Sequence, residues 1–352
     1  TGRTMSKTFK HHLIFKAMKV YFARPEFSAS SNFEDNVVEN ICAEFKSSSC
    51  VDKFQLSSSA ESADLILFME TPNWKPRSHI ENLCKEPLLQ RYAHKLLTYN
   101  YQDGFAGFLD GIYVMTDKKR FVQGRHKSWS TLWPHNELVY TIDDNEIENT
   151  SVDYLCSFRG SISSTLRKQI ANHLKKKQIP GFLFSTVNKW YDHQSDEKLL
   201  YIREILQSRF VLCPRGITPY TPRFFETMAL GRVPVLLADN WVPPENLDID
   251  SVAIRIQERD FSHLEDIIRS KEDDAIEMGR NGRKYWKTYF SKNVRLESLL
   301  DVAVSCLEER DHSPDFAEYV NRWKSFSFLW ANEWTIMQRG ANKIKDKLSI
   351  PR

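Results

Sequence analysis

Arg223 and Glu226 stand out within an apolar stretch, Phe210 to Leu237, that reads FVLCPRGITPYTPRFFETMALGRVPVLL. Their spacing of three places both on one helical face, with Glu226 a turn deeper. An arginine in a helix's first turn, where free backbone N–H groups and the positive dipole end gather, suits an anion such as a diphosphate. A carboxylate one turn below suits ribose hydroxyls. The plain alternative is an intrahelical Arg–Glu pair on a solvated surface. The loop Pro214–Thr221, broken by proline and glycine, weighs for the anion, because its amides around Arg215 and Gly216 could join the same seat.

The elements that must position these residues are legible. Phe210–Cys213 reads as a buried parallel strand. Thr221 suits the N-cap and Pro222 the first helical position. Gly231 stands where a left-handed helix end is wanted, and Pro234 stops the helix before a second strand, Val233–Leu237. Strand, loop, helix and strand make a right-handed βαβ unit, whose first loop faces the ligand crevice of an open α/β sheet.

CPRG, then TPRFFE, then ALGRVPVLLADNWVPP occur in order and at close spacing. They resemble the signature of the exostosin family of glycosyltransferases, over about Asp153–Asn293. SFRGS, ending at Ser161, resembles the opening of that family's C-terminal domain, where the arginine (here Arg159) approaches the donor diphosphate. The resemblance implies an α/β fold of the GT-B type: two Rossmann-like domains face a central cleft, and the C-terminal helix packs back on the N-terminal domain. It also implies an inverting transfer from a nucleotide-sugar donor, UDP-linked, to an oligosaccharide or polysaccharide acceptor, with no cofactor. The donor site would be Arg159, Arg215, Gly216, Thr221, Arg223 and Glu226.

A departing diphosphate so held needs no metal. Asp248-Ile249-Asp250 has the letters of a metal motif, but it precedes a strand at Val252–Ile256 and reads as a loop. The base for the acceptor hydroxyl is expected from the N-terminal half. Asp103 follows a strand in a glycine-bearing loop, and Glu70 ends the buried strand ADLILFM. Either could also be a turn or cap carboxylate. Trp74, Trp129 and Trp133 could stack on sugar rings, or be core. His79, His126 and His135 read as surface or satisfied histidines.

The 352 residues suit two domains. We expect an N-terminal acceptor-side unit over 18–145, a nucleotide-sugar unit over 151–310, and bridging helices over 311–352. Strands are expected at Val20–Ala23, Ala63–Met69, Leu96–Tyr101 and Ile112–Met115, and the acidic segment Asp143–Glu148 reads as a linker. No GxGxxG follows the first strand, so a nicotinamide or flavin fingerprint is absent. A net charge of +3, from 49 basic and 46 acidic residues, gives no field for nucleic acid.

The six cysteines form no CxxC pair, which argues against structural zinc and for free thiols in a reducing compartment. No apolar run is long enough to span a bilayer and no secretory signal is read. The expectation is a cytoplasmic protein, or a Golgi-lumenal one if an anchored protein has been trimmed. The tail Phe316–Lys347 is aromatic and basic and could touch a membrane surface. The alternative there is packing across the domain junction. Two rivals remain: a fucosyltransferase-like enzyme using GDP-fucose, and a glycan- or nucleotide-binding module without catalysis.

Overall fold

Short apolar runs punctuated by proline, glycine and charge form strands, and these assemble into two parallel sheets, one in each half of the chain. The structure is a computed structural model that describes residues 17–26, 36–70, 76–101, 106–187, 195–310 and 314–330, with 332 and 337. The first half comprises β1 (Met18–Ala23), α1 (Val37–Ser47), β2 (Phe54–Leu56), β3 (Leu65–Met69), α2 (Pro76–Leu83), α3 (Pro87–Tyr92), β4 (Leu96–Asn100), β5 (Gly111–Tyr113) and β6 (His126–Ser128). The second opens with α4 (Asp144–Asn149), β7 (Tyr154–Gly160), α5 (Thr165–Lys177), β8 (Phe182–Thr186) and α6 (Ser195–Leu206). It continues with β9 (Ser208–Pro214), α7 (Arg223–Ala229), β10 (Val233–Leu237), β11 (Ile254–Arg255), α8 (Leu264–Arg269) and α9 (Ala275–Tyr289). Two last helices follow, α10 (Arg295–Glu308) and α11 (Phe316–Lys324).

The first sheet orders β2-β1-β3-β4-β5-β6 and the second β11-β10-β9-β7-β8. Counted from its own first strand, each contains the doubly wound order 2-1-3-4-5. The winding therefore reverses between β1 and β3 in one sheet and between β7 and β9 in the other. The predicted unit is present: β9 and β10 pair in parallel, Phe210 beside Val233 and Pro214 beside Leu237.

The carboxyl edges of the two sheets meet. Thr116 donates its hydroxyl to the Val242 carbonyl at 2.8 Å, and Lys118 N–H reaches the Asn240 carbonyl at 2.8 Å. Ser130 and Tyr220 share a hydroxyl contact of 3.2 Å. One apolar core runs through both halves, joining Trp129 and Leu132 to Tyr220, Phe225, Trp241 and Phe290.

Three local expectations change. The segment Asp143–Glu148 is a helix rather than a linker, because the Asp143 carboxylate caps it by accepting from Glu146 N–H at 2.8 Å. Acidic residues in a first turn suit a helix N-terminus as well as they suit a loop. Helix α7 starts one residue late, with Pro222 at the cap position and no side-chain cap; Thr221 instead lends its carbonyl to Phe224 N–H at 3.1 Å. Finally, the return to the first half begins at α10, within the span expected for the second domain, since α10 packs on β5 and β6. Arg295 fixes that crossing with a two-pronged ion pair to Glu44 of α1, at 2.6 and 2.7 Å.

The expected return of the C-terminal helix is seen in α11. Tyr319 and Trp323 are fully buried against the first half, and Trp323 Nε1 donates to the Phe108 carbonyl at 2.8 Å. Further along, Phe326 is 79% exposed and Trp330 54%. Among the described residues no helix is long and apolar enough to cross a membrane.

The seat of α7 depends on a close approach. A Cβ added at Gly279 of α9 would lie 2.4 Å from the Gly231 carbonyl oxygen, and Gly231 itself holds a φ of +65°. Alanine gains about 1 kcal/mol of helix propensity over glycine, but backbone overlap costs roughly 1–3 kcal/mol or more. Gly279→Ala should therefore lower the thermal midpoint. An unchanged or raised midpoint in calorimetry would mean that α7 and α9 do not pack this closely.

Candidate functional site

Arg223 leaves α7 at the reversal point between β7 and β9, where the crevice of a doubly wound sheet opens. Its guanidinium lies 4.5 Å over the Phe158 ring and one Nη donates to the Arg159 carbonyl. The side chain is buried, yet Nε and the other Nη have no partner among the described residues. Buried guanidinium donors without a partner are expensive, so they mark a place where an acceptor belongs. Gly160 makes the room, for a Cβ there would come 2.7 Å from Nη2 of Arg223.

A second arginine, Arg167 of α5, also lies near Phe158, 5.5 Å from the ring. Its donors go to backbone carbonyls only: Pro214 at 3.0 and 3.2 Å, and Ser161 at 3.0 Å. Burial, reinforced by the charge of Arg223, pushes its pKa down to about 9. A buried and a half-buried positive charge thus share the strand ends, with no carboxylate on either among the described residues. Sequence reasoning missed Arg167. The signal was present in Ser164-Thr165-Leu166-Arg167, a capped helix start directly after β7; Ser164 does accept from Arg167 N–H, at 3.3 Å, and donates to the Arg215 carbonyl at 3.1 Å.

The other expected donor-site residues gather here with different partners. Arg159 turns its guanidinium to Glu204 at 3.2 Å and Glu197 at 3.4 Å, so its carbonyl, not its charge, meets Arg223. Arg215 pairs with Glu258 at 2.7 Å. Gly216 passes close to α5, where a Cβ would meet Ser163 Oγ at 3.2 Å. Glu226 is buried and does not pair with Arg223, which removes the solvated-pair alternative; it accepts from Tyr201 Oη at 2.6 Å and from Asn136 N–H at 3.2 Å. A carboxylate has about four lone-pair sites, so capacity for a hydroxyl remains.

On the first half, Glu70 follows β3 as expected and is fully buried. Its Oε1 lies 2.6 Å from His79 Nε2, and its Oε2 accepts from the Thr98 hydroxyl at 3.1 Å. Asp103 and Trp74 lie outside the described residues. Trp129 is core, its ring 4.9 Å from that of Phe290, and Trp133 donates to Glu44 at 3.2 Å. His126 is buried and accepts from Val122 N–H at 3.0 Å. Asp250 pairs with Arg255 at 3.0 Å, and no group of three metal-ligating side chains occurs among the described residues.

Two doubly wound halves with facing carboxyl edges, and a last helix returned to the first, define an α/β protein of the GT-B class. Residues 114–271 match the Exostosin GT47 domain, so the resemblance to the exostosin family holds across the crevice and back to β6 of the first sheet. A probable glucuronoxylan glucuronosyltransferase of Arabidopsis thaliana is 34% identical over 108 residues, 27% of this chain and 24% of that relative. The exostosin-1 homolog of Caenorhabditis elegans is 29% identical over 166 residues, 42% of this chain and 43% of that one. The chain thus spans a quarter to under half the length of these relatives. Among solved structures, an α1,3-fucosyltransferase is similar with a TM-score of 0.42 at 11% identity, covering 89% of this chain and 95% of that one.

The room for Arg223 can be tested by itself. In Gly160→Ala the added methyl must push a guanidinium tip aside, a move the side chain's far end makes cheaply, while the Phe158 ring, 3.2 Å from the new Cβ, has to give by a few tenths of an ångström. Any affinity for a diphosphate at Arg223, such as that of UDP, should nevertheless fall about tenfold, roughly 1.4 kcal/mol, with only a small drop in thermal midpoint. Equal affinity by calorimetry would show that the position of Arg223 is immaterial to nucleotide.

Proposed function

We propose that this chain is an inverting, metal-independent glycosyltransferase that moves a sugar from a UDP-linked donor to a glycan. The observation that carries the reading is a pair of arginines at the reversal point of the second sheet, Arg223 buried and Arg167 half-buried, with no carboxylate on either among the described residues. A nucleoside diphosphate brings two or more negative charges, which would satisfy both arginines. Glu226 would accept from the ribose. Relatives named for glucuronosyl and xylosyl transfer support a uronosyl or pentosyl group on the donor.

In the reaction, the acceptor hydroxyl oxygen forms a bond to the anomeric carbon as the bond from that carbon to the diphosphate oxygen breaks. The leaving diphosphate keeps the bonding pair, and its charge is held by Arg223 and Arg167, preorganised in a site of low dielectric. The hydroxyl proton passes to a carboxylate of the first half. Both oxygens of Glu70 are already engaged, by His79 and Thr98, so Asp103 is the better base. In the sequence it is the third residue after β4 ends at Asn100.

The test of donor class is thermal protection. UDP at about 100 times its Kd should stabilise the chain by about 2.7 kcal/mol, and GDP by much less. Stronger protection by GDP would favour the fucosyltransferase-like reading; protection by neither would refute a nucleotide donor altogether.

A further inference from the structure

At the opposite end of the second sheet, a cleft of about 800 Å³ opens across the amino ends of β7, β9 and β10. One wall is helix α9, whose Arg280, Arg283, Lys284 and Lys287 recur at intervals that put all four on one face. Like charges so spaced destabilise a helix, and a fold retains them where something offsets the repulsion. Asp144 offsets part of it, accepting from Arg283 at 3.1 Å and from Lys287. Arg280 and Lys284 are exposed, line the cleft, and have no carboxylate partner among the described residues.

Across from α9 the cleft is closed by Arg209 and Arg232. Arg209 is paired with Glu272 at 3.0 Å. Arg232 is spent on the carbonyls of Leu206 and Ile147, at 2.9 and 3.1 Å, and burial lowers its pKa. Six cations against Asp144, Glu148 and the Glu272 that pairs with Arg209 leave the cleft net positive. The remaining surface is apolar or hydroxylic: Ile147, Val152 and Ile276, the last 66% exposed, with Thr150 and Thr288.

From this we infer that the cleft is a binding site for an anionic saccharide, with carboxylate or sulfate groups on the α9 cations and the C–H faces of the rings on Ile276 and Val152. A concave surface with an apolar floor fits a polyhydroxylated ring better than a flat bilayer, and the cleft's volume suits a few sugar units. From Arg209 to Arg215, along β9, the distance to the arginine crevice is roughly 20 Å at about 3.3 Å per residue. The two sites are therefore separate, and the binding stands whether or not the chain transfers sugar. A long acidic chain held here stays with the protein while its end is elsewhere.

Fluorescence anisotropy on the full chain tests this with a labelled galacturonate octamer, a labelled sulfated dextran oligomer and labelled neutral maltooctaose. Anionic phospholipid vesicles and UDP are run beside them. The wild type should bind at least one anionic oligomer ten times or more tighter than maltooctaose, and which of the two binds identifies the charged group. Arg280→Glu combined with Lys284→Glu, both at exposed positions, should weaken that binding at least tenfold and leave UDP affinity unchanged. Equal binding of the neutral oligomer, unchanged affinity in the double variant, or preferential capture by the vesicles would each overturn the inference. A chain that binds the anionic oligomer but not UDP would support this cleft while refuting the nucleotide reading of the other.

Discussion

Arg223→Ala should lose nucleotide without losing the fold. Two charge-assisted hydrogen bonds from the donors now unpartnered are together worth about 3–4 kcal/mol, or roughly 10²–10³-fold in UDP affinity. Among the described residues the same side chain contributes one hydrogen bond, to the Arg159 carbonyl, and is otherwise a buried charge with no carboxylate. Removing a buried, incompletely satisfied cation is often neutral or stabilising. Arg223→Met keeps the contact with Phe158 and isolates the charge; its thermal midpoint should equal or exceed the wild type's. A drop in stability with intact UDP affinity would make Arg223 a structural residue.

The largest kinetic effect is expected at Asp103. A general base contributes about 10²–10⁴-fold, so Asp103→Asn should lower turnover by that factor while UDP still binds as in the wild type. Glu70→Gln makes the contrast. Glu70 is buried among its own donors, so an amide there disturbs His79 and Thr98, and the loss should be in stability, about 1–3 kcal/mol. Unchanged turnover in Asp103→Asn with loss in Glu70→Gln would exchange the two roles. Unchanged binding and no turnover by the wild type on any acceptor would leave a binding module.

The strand–loop–helix–strand unit was legible because each boundary had a local cause: Pro222 at the start of α7, Gly231 with its positive φ, and Pro234 past its end. The span of β10 was read to the residue because five successive positions are apolar and buried. What sequence could not supply was partnership. Arg159 and Arg223 look alike in the chain, and only the fold shows that Glu204 and Glu197 pair with the first while no carboxylate among the described residues pairs with the second. Arg167 was missed because it sits in a helix whose other polar residues are solvated, with no apolar signal at its position. β6 was missed for a related reason: His126, Lys127 and Ser128 are polar, and α10 buries them all the same. The linker reading failed because acidic residues open helices as readily as they fill loops.

The four cations of α9 were visible as letters, but the cleft they line is made by segments that precede β7, β9 and β10 and are far apart in sequence. The charges that balance to +3 overall are distributed unevenly, which composition averages away.

The most direct test of the account is a crystal structure with UDP. The account predicts that the diphosphate lies beyond the carboxyl ends of β7 and β9, with Nε and Nη1 of Arg223 within about 3 Å of its oxygens and the ribose near Glu226. Nucleotide found in the α9 cleft instead, with Arg223 still unpartnered, would contradict it.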